Sequence, residues 1–185
     1  VSYISDKSTM QEKLCGETKT TIFQFRITSE KTMPKIDYAA IKVRHGSSYP
    51  GDLKNITNGC DRKQISDHVK LVQFGVNYTR LGPGAATSLR HWHENEDEFV
   101  IIFQGEVVLV DDFGETTLRP GESAGFRAGE PNGHQFVNRS ESEAILFEIG
   151  TRMTEETTHY SDEDLIFKSK NGEFHFSRRD GTKVV

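Results

Sequence analysis

The strongest constraint on the fold is a succession of short strand-like runs, each closed by a turn, that begins near Lys70 and continues to Thr151. The runs fall at 70–74, 77–81, 88–93, 98–103, 106–110, 115–118, 124–127, 135–137 and 144–149. Regularly spaced strands with turn signals between them argue for an antiparallel sandwich or small barrel and against alternating strands and helices. Asp111-Asp112-Phe113-Gly114 and Arg119-Pro120-Gly121-Glu122 are strong turns, because Pro fixes φ and Gly accepts positive φ.

Either side of this block the texture changes. Residues 1–69 mix short β-like pieces at 21–27 and 39–43 with turns such as Tyr49-Pro50-Gly51-Asp52, and a weak helical turn is expected near 62–69. This part reads as an extended arm packing on the barrel. Residues 152–185 are strongly charged, with an acidic stretch at 161–164 and an Asp180-Gly181 hairpin signal, and read as a short surface extension. The expected organisation is one structural domain: arm 1–69, core 70–151 and C-terminal extension 152–185.

A chain of 185 residues is long enough to bury a core without staples. Cys15 and Cys60 read as two ordinary thiols, being too few and too far apart for a disulfide framework or a thiolate metal site. The formal net charge of −5 provides no basic field for nucleic acid or an anionic membrane. No apolar run approaches the roughly 20 residues of a membrane helix. A soluble protein is expected, with the cytoplasm as its compartment and a small molecule as its partner.

His91-Trp92-His93 carries the chemistry. Side chains at i and i+2 of a strand share a face, so both imidazoles can aim at one ion. The loop Glu94-Asn95-Glu96-Asp97 then releases the strict parity and lets Glu98 turn inward at the start of the next strand. His134 opens a further strand after the loop 129–133 and completes a candidate set of three imidazoles and a carboxylate. Such a set suits Fe, Mn, Ni, Co or Zn as a divalent ion. In octahedral geometry four protein ligands leave two positions for water, oxygen or substrate; in a tetrahedral zinc site they leave none.

These residues resemble the cupin superfamily. Its first motif is matched by Gly84, His91, His93, Glu98 and Gly105, and its second by Gly125, Pro131, Gly133, His134 and Asn138. His134 directly follows Gly133 where cupins usually place two residues between; a shift of two preserves strand face but implies a rearranged loop. Phrases such as Leu81-Gly-Pro-Gly84, Leu89-Arg-His-Trp-His93 and Pro131-Asn-Gly-His134 are similar to small single-domain cupins often labelled sugar-phosphate-isomerase-like. The resemblance implies an all-β cupin fold, a double-stranded β-helix or jelly-roll-like barrel, with His91, His93, Glu98 and His134 as metal ligands. A homodimer is the expected assembly.

Other residues are open to two readings. Tyr78 and Arg80 share parity on the strand before the histidines, so they are candidates to line a substrate pocket, as is Gln104; the same pattern fits an exposed face. Trp92 is expected to pack on the opposite side of its strand, and Arg90 to point away from the ion. Two functional classes follow. One is a small metal-dependent enzyme, an isomerase or lyase using enolate chemistry or a dioxygenase, acting on a polar, oxygen-bearing small molecule. The other is a non-catalytic cupin, either a binding module or an oligomeric scaffold.

Overall fold

A computed structural model describes residues 35–184. The β-like piece expected at 21–27 lies outside the described residues. The regular structure of the remainder is mostly strand: β1 (Val43–His45), β2 (Cys60–Gln64), β3 (Phe74–Leu81), β4 (His91–His93), β5 (Glu98–Gln104), β6 (Val107–Asp111) and β7 (Gly114–Leu118) come first. They are followed by β8 (Ser123–Phe126), β9 (Gln135–Val137), β10 (Ala144–Thr151), β11 (Glu155–Tyr160), β12 (Ile166–Lys170), β13 (Glu173–Ser177) and β14 (Lys183–Val184). One short α-helix, α1 (Ile65–His68), occupies the expected helical turn, and 3-10 helices at Tyr38–Ala40 and Gly51–Thr57 precede it, so of the β-like piece expected at 39–43 only Val43 is strand.

The strands form three antiparallel sheets, ordered β1-β2-β3-β10-β5-β8, β14-β13-β12-β11-β4 and β7-β6-β9. Bridges of Ala86 to Val137 and of His91 to His134 tie segments across the sheets. The first strand-like run, expected at 70–74, is instead a turn: Lys70 takes a left-handed φ of 59° after α1, and strand structure starts at Phe74.

Period-two alternation decides what faces inward. On β5, Val100 and Ile102 are buried, so Glu98 shares their inward face while Phe99 and Phe103 lie exposed on the outer one. On β10, buried Ala144 and Leu146 place Glu148 inward, and on β3 buried Thr79 and Leu81 do the same for Asn77. Cys60, Val107 and Phe136 complete this apolar cluster. The inner surface is therefore apolar at one end of the strands and polar at the other.

Gly105 shows why the turn after β5 needs glycine. Its φ is +73°, and an added Cβ would sit 2.8 Å from the Glu143 carbonyl oxygen and 2.9 Å from Ala144 Cα, both backbone atoms. Gly105→Ala is expected to cost about 1–3 kcal/mol through left-handed strain and displacement of β10; a urea midpoint indistinguishable from that of the parent protein would contradict this.

Burial pushes the Cys60 thiol up to about 11 from an ordinary 9.0. The folded state thus keeps a proton that the unfolded chain loses above about 9. The associated stability is complete below that pH and declines as pH rises toward 11, by up to about 1.4 kcal/mol per unit. Urea titrations at pH 8 and 10 should show a loss that Cys60→Ala reduces.

Two boundaries move. β1 and β2 extend the main sheet in plane, so the described part of the arm is not laid over the barrel but built into it. β11 pairs with β4 itself, His91 opposite Tyr160 and His93 opposite Thr158, so the sheet continues past Thr151 into what reads as a surface extension. The predicted C-terminal hairpin is present as β13–β14, with Gly181 N–H donating to the Arg178 carbonyl.

Candidate metal centre

The four predicted ligands are delivered by three different pieces of backbone. β4 presents His91 and His93 on one face, β5 presents Glu98, and His134 lies immediately before β9. His134 is held by a two-way backbone bridge: His91 N–H donates to the His134 carbonyl at 3.1 Å, and His134 N–H donates back at 2.9 Å. The rearranged loop implied by Gly133-His134 therefore still brings the ring to the other two histidines.

The ligating atoms converge. His91 Nε2 lies 3.1 Å from His93 Nε2, and Glu98 Oε2 lies 3.2 Å from His134 Nε2, 3.6 Å from His93 Nε2 and 3.9 Å from His91 Nε2. Each ring's other nitrogen faces an acceptor. His91 Nδ1 is 2.9 Å from the Leu89 carbonyl, His134 Nδ1 is 3.3 Å from the Asn132 carbonyl, and His93 Nδ1 is 3.4 Å from Glu156 Oε1. With each Nδ1 facing an acceptor, the Nε2 atoms are left toward one another and toward a carboxylate, an arrangement that a shared cation satisfies. Phe126 stacks on the His134 ring at 3.5 Å between centroids, which fixes its plane.

The electrostatics agree with a place for positive charge. Burial, joined by the charges of His93 and His134, pushes His91 down to about 3. His93 moves oppositely, to about 9: burial pulls it down, but Glu156 and Glu98 outweigh that effect. Glu98 is held well below the carboxylate range, since bonds from His134 and His93 overcome its own burial. Once His93 gives up its proton, three imidazoles and an ionised carboxylate form a donor set that a divalent transition metal fits.

The cluster lies on the wall of a cavity of about 410 Å³, whose lining also includes Tyr49, Arg62, Asn77 and Glu148. Arg62 donates to both oxygens of Glu148, at 2.9 and 3.1 Å, and to the Thr87 carbonyl at 2.6 Å. Thr79 donates to the same carboxylate. Burial opposes the charge on Arg62, but Glu148 more than offsets it and keeps the guanidinium protonated. Tyr49 accepts the Leu89 N–H at 3.3 Å, and burial raises the phenols of Tyr49 and Tyr160, so both are held as O–H.

The proposed pocket residues are corrected. Tyr78 and Arg80 occupy the outward positions of β3, alternating with inward Asn77 and Thr79; Tyr78 packs edge-on against Tyr38 and Phe147, and Arg80 pairs with Glu143. Gln104 is exposed at the end of β5, beyond a register shift that places it opposite Ile145. None of the three lines the cavity. Trp92 stacks on His159, its cross-strand neighbour, at 4.3 Å between centroids, and Arg90 turns outward to Asp112 and Asp162.

Glu156 escaped sequence reasoning. It is 4% exposed and accepts the N–H groups of Glu94 and Asn95 at 3.0 and 2.9 Å, so it orients His93 and ties down the β4–β5 loop together. The clue was the alternation of Glu156, Thr158 and Tyr160 on β11, whose other face is polar. Glu156→Gln is expected to weaken metal affinity about 10- to 100-fold, measurable by competition with a chromophoric chelator.

A β-barrel carrying a three-histidine, one-carboxylate cluster beside an internal cavity defines the class to which this chain belongs. The family comparison agrees: the Cupin domain model matches residues 77–150. A sugar phosphate isomerase of the cupin superfamily from Silicibacter pomeroyi is 47% identical, covers 82% of this chain and 97% of its own, and superposes with a TM-score of 0.79. The chain belongs to the cupin superfamily. The polyketide cyclase RemF from Streptomyces resistomycificus (20% identity, 65% of this chain and 80% of that one, TM-score 0.54) shares the fold. So does a predicted oxalate decarboxylase from Thermotoga maritima (16% identity, 65% and 100%, TM-score 0.52). No curated protein matches the chain. Among the described residues no helix is long and apolar enough to cross a membrane.

Proposed function

We propose that this cupin is a metal-dependent enzyme of the isomerase or lyase type, acting on a small polar molecule whose carbonyl or hydroxyl oxygens reach the His91, His93, Glu98 and His134 cluster. The observation that carries the reading is the convergence of His91, Glu98 and His134, with His93 Nε2 at 3.1 Å from His91 and 3.6 Å from Glu98, on the wall of a cavity of mixed polar and apolar lining. A divalent ion held there would supply Lewis-acid stabilisation of negative charge on a substrate oxygen. The chain's own residues do the rest. Glu156 fixes the His93 ring, while the Tyr49 and Tyr160 hydroxyls and Asn77 offer neutral hydrogen-bonding groups along the wall. The Arg62–Glu148 pair holds that wall rigid without adding net charge.

The name borne by the Silicibacter relative supports isomerase chemistry over oxygen activation. The test is proton exchange. Metal-loaded protein is incubated in D₂O with a panel of hydroxy-aldehydes, hydroxy-ketones and their phosphates, and deuterium at the carbon next to the carbonyl is followed by NMR. Exchange that is lost in His134→Ala is the expected result. A metal-loaded protein that exchanges none of the panel would point instead to the non-catalytic binding module.

A further inference from the structure

We infer that Arg44 is an anion-recognition residue at the cavity mouth, selecting small molecules that carry a phosphoryl or carboxylate group; this rests on the reading of the cavity as a substrate site. Three guanidiniums line that cavity, those of Arg44, Arg62 and Arg152. Arg62 is committed to Glu148 and Thr87, and Arg152 to Asp67 and Ser66. Arg44 is exposed and makes no ion pair or hydrogen bond with any described residue.

The cavity's carboxylates are likewise engaged. Glu148 accepts from Arg62, Glu98 faces the histidines, Asp97 accepts the Ala128 N–H at 2.8 Å and Glu96 accepts the Met153 N–H at 2.9 Å. Among the described residues Arg44 is thus the one guanidinium of the lining with no carboxylate paired to it.

Strand register makes its position unusual. Arg44 on β1 is paired directly with Arg62 on β2. The parity of β2 is fixed by buried Cys60 and by Arg62 facing the cavity, so its cross-strand partner shares that inward side. Like charges directly opposite one another on a sheet are destabilising. Glu148 neutralises only one of the two. An anion beside Arg44 would relieve that repulsion, and Ser47, Ser48, Gln64 and Asn77 on the same lining supply neutral hydrogen-bonding groups around it.

Arg44 also stands away from the metal cluster. It is four strand positions from Glu98 in the six-stranded sheet, through β2, β3 and β10, about 19 Å along the curved surface at about 4.8 Å per strand. The substrate class is therefore a molecule anionic at one end and rich in oxygen at the other. A guanidinium reads either anion, through paired N–H donors in one plane.

Calorimetric titration of metal-loaded protein with inorganic phosphate, and separately with malonate, tests this. The parent should bind at least one of the two anions, and the tighter of them identifies the group selected. Arg44→Met should weaken that binding about tenfold or more, and Arg44→Lys less, with metal content unchanged. The Met variant without anion should melt no lower than the parent, because it removes a repulsion and buries nothing. Binding of neither anion by the parent, or equal binding by Arg44→Met, overturns the inference. Metal content of the parent is measured alongside. Arg44-dependent anion binding in a protein that takes up no metal would sink the catalytic reading and leave the anion site standing.

Discussion

Removing bound metal with a chelator is expected to lower the melting temperature by roughly 10 °C, and His134→Ala should abolish both the ion and this response. A ligand present at about a thousand times its dissociation constant adds about 4 kcal/mol to stability. In a chain of this length each kcal/mol shifts melting by about 2–4 °C. The effect falls on this residue because His134 is 1% exposed and its Nε2 faces Glu98 at 3.2 Å. Truncating it removes one of the three residues, His91, Glu98 and His134, whose donor atoms all lie within 4.8 Å of one another. The variant also leaves a gap beside Phe126, so its melting temperature alone decides nothing. The decisive measurement compares each protein with and without chelator and reads bound metal by elemental analysis. A variant that keeps its metal, or a parent indifferent to chelation, would refute the assignment.

The second large effect is expected at Glu148. Glu148→Ala leaves the Arg62 guanidinium, only 16% exposed at its side chain, without its carboxylate. Breaking a buried pair from one side typically costs about 3–5 kcal/mol, because the remaining charge stays desolvated. That is a large part of the 5–15 kcal/mol or so by which domains are stable. Replacing both partners, as in Arg62→Met with Glu148→Leu, should be markedly less damaging than the single change, since no charge is stranded. Urea unfolding of the parent, the single variant and the double variant checks the order. If the double variant is the least stable of the three, the pair contributes in some way other than mutual neutralisation.

How much of this was legible in the sequence depended on whether a signal was local. His91 and His93 lie two apart on one strand, Glu98 heads the next, and the structure places all three where spacing and parity put them. The glycine punctuation was equally local, and Gly105 shows its cause in a positive φ and a close backbone approach. Tyr78 and Arg80 failed for a definite reason. Alternation separates two faces of β3 without saying which is inside, and here the outer face carries Tyr78 against Phe147 while the inner face carries Asn77 and Thr79. The usual expectation of apolar residues within and polar ones without is inverted at the cavity end of the sheet. Arg62 and Glu148 are 86 residues apart, and only the pairing of β2 with β3 and of β3 with β10 brings them together. Glu156 was hidden by its neighbours, since a charged tail reads as solvated until its strand is seen beside β4.

The partnership of β4 with β11 separates the unit that is recognised from the unit that folds. The family pattern spans 77–150, yet the strand bearing His91 and His93 takes its ladder partner from Glu155–Tyr160. A polypeptide ending at Thr151 would retain every motif residue and lose the neighbour that holds two of them in line, together with Glu156. Its histidines would keep only the backbone bonds of His91 with His134 and of His93 with Gly129. Sequence signatures in this protein mark the candidate ligands, while the strand that holds two of them in line belongs to a stretch that carries no signature.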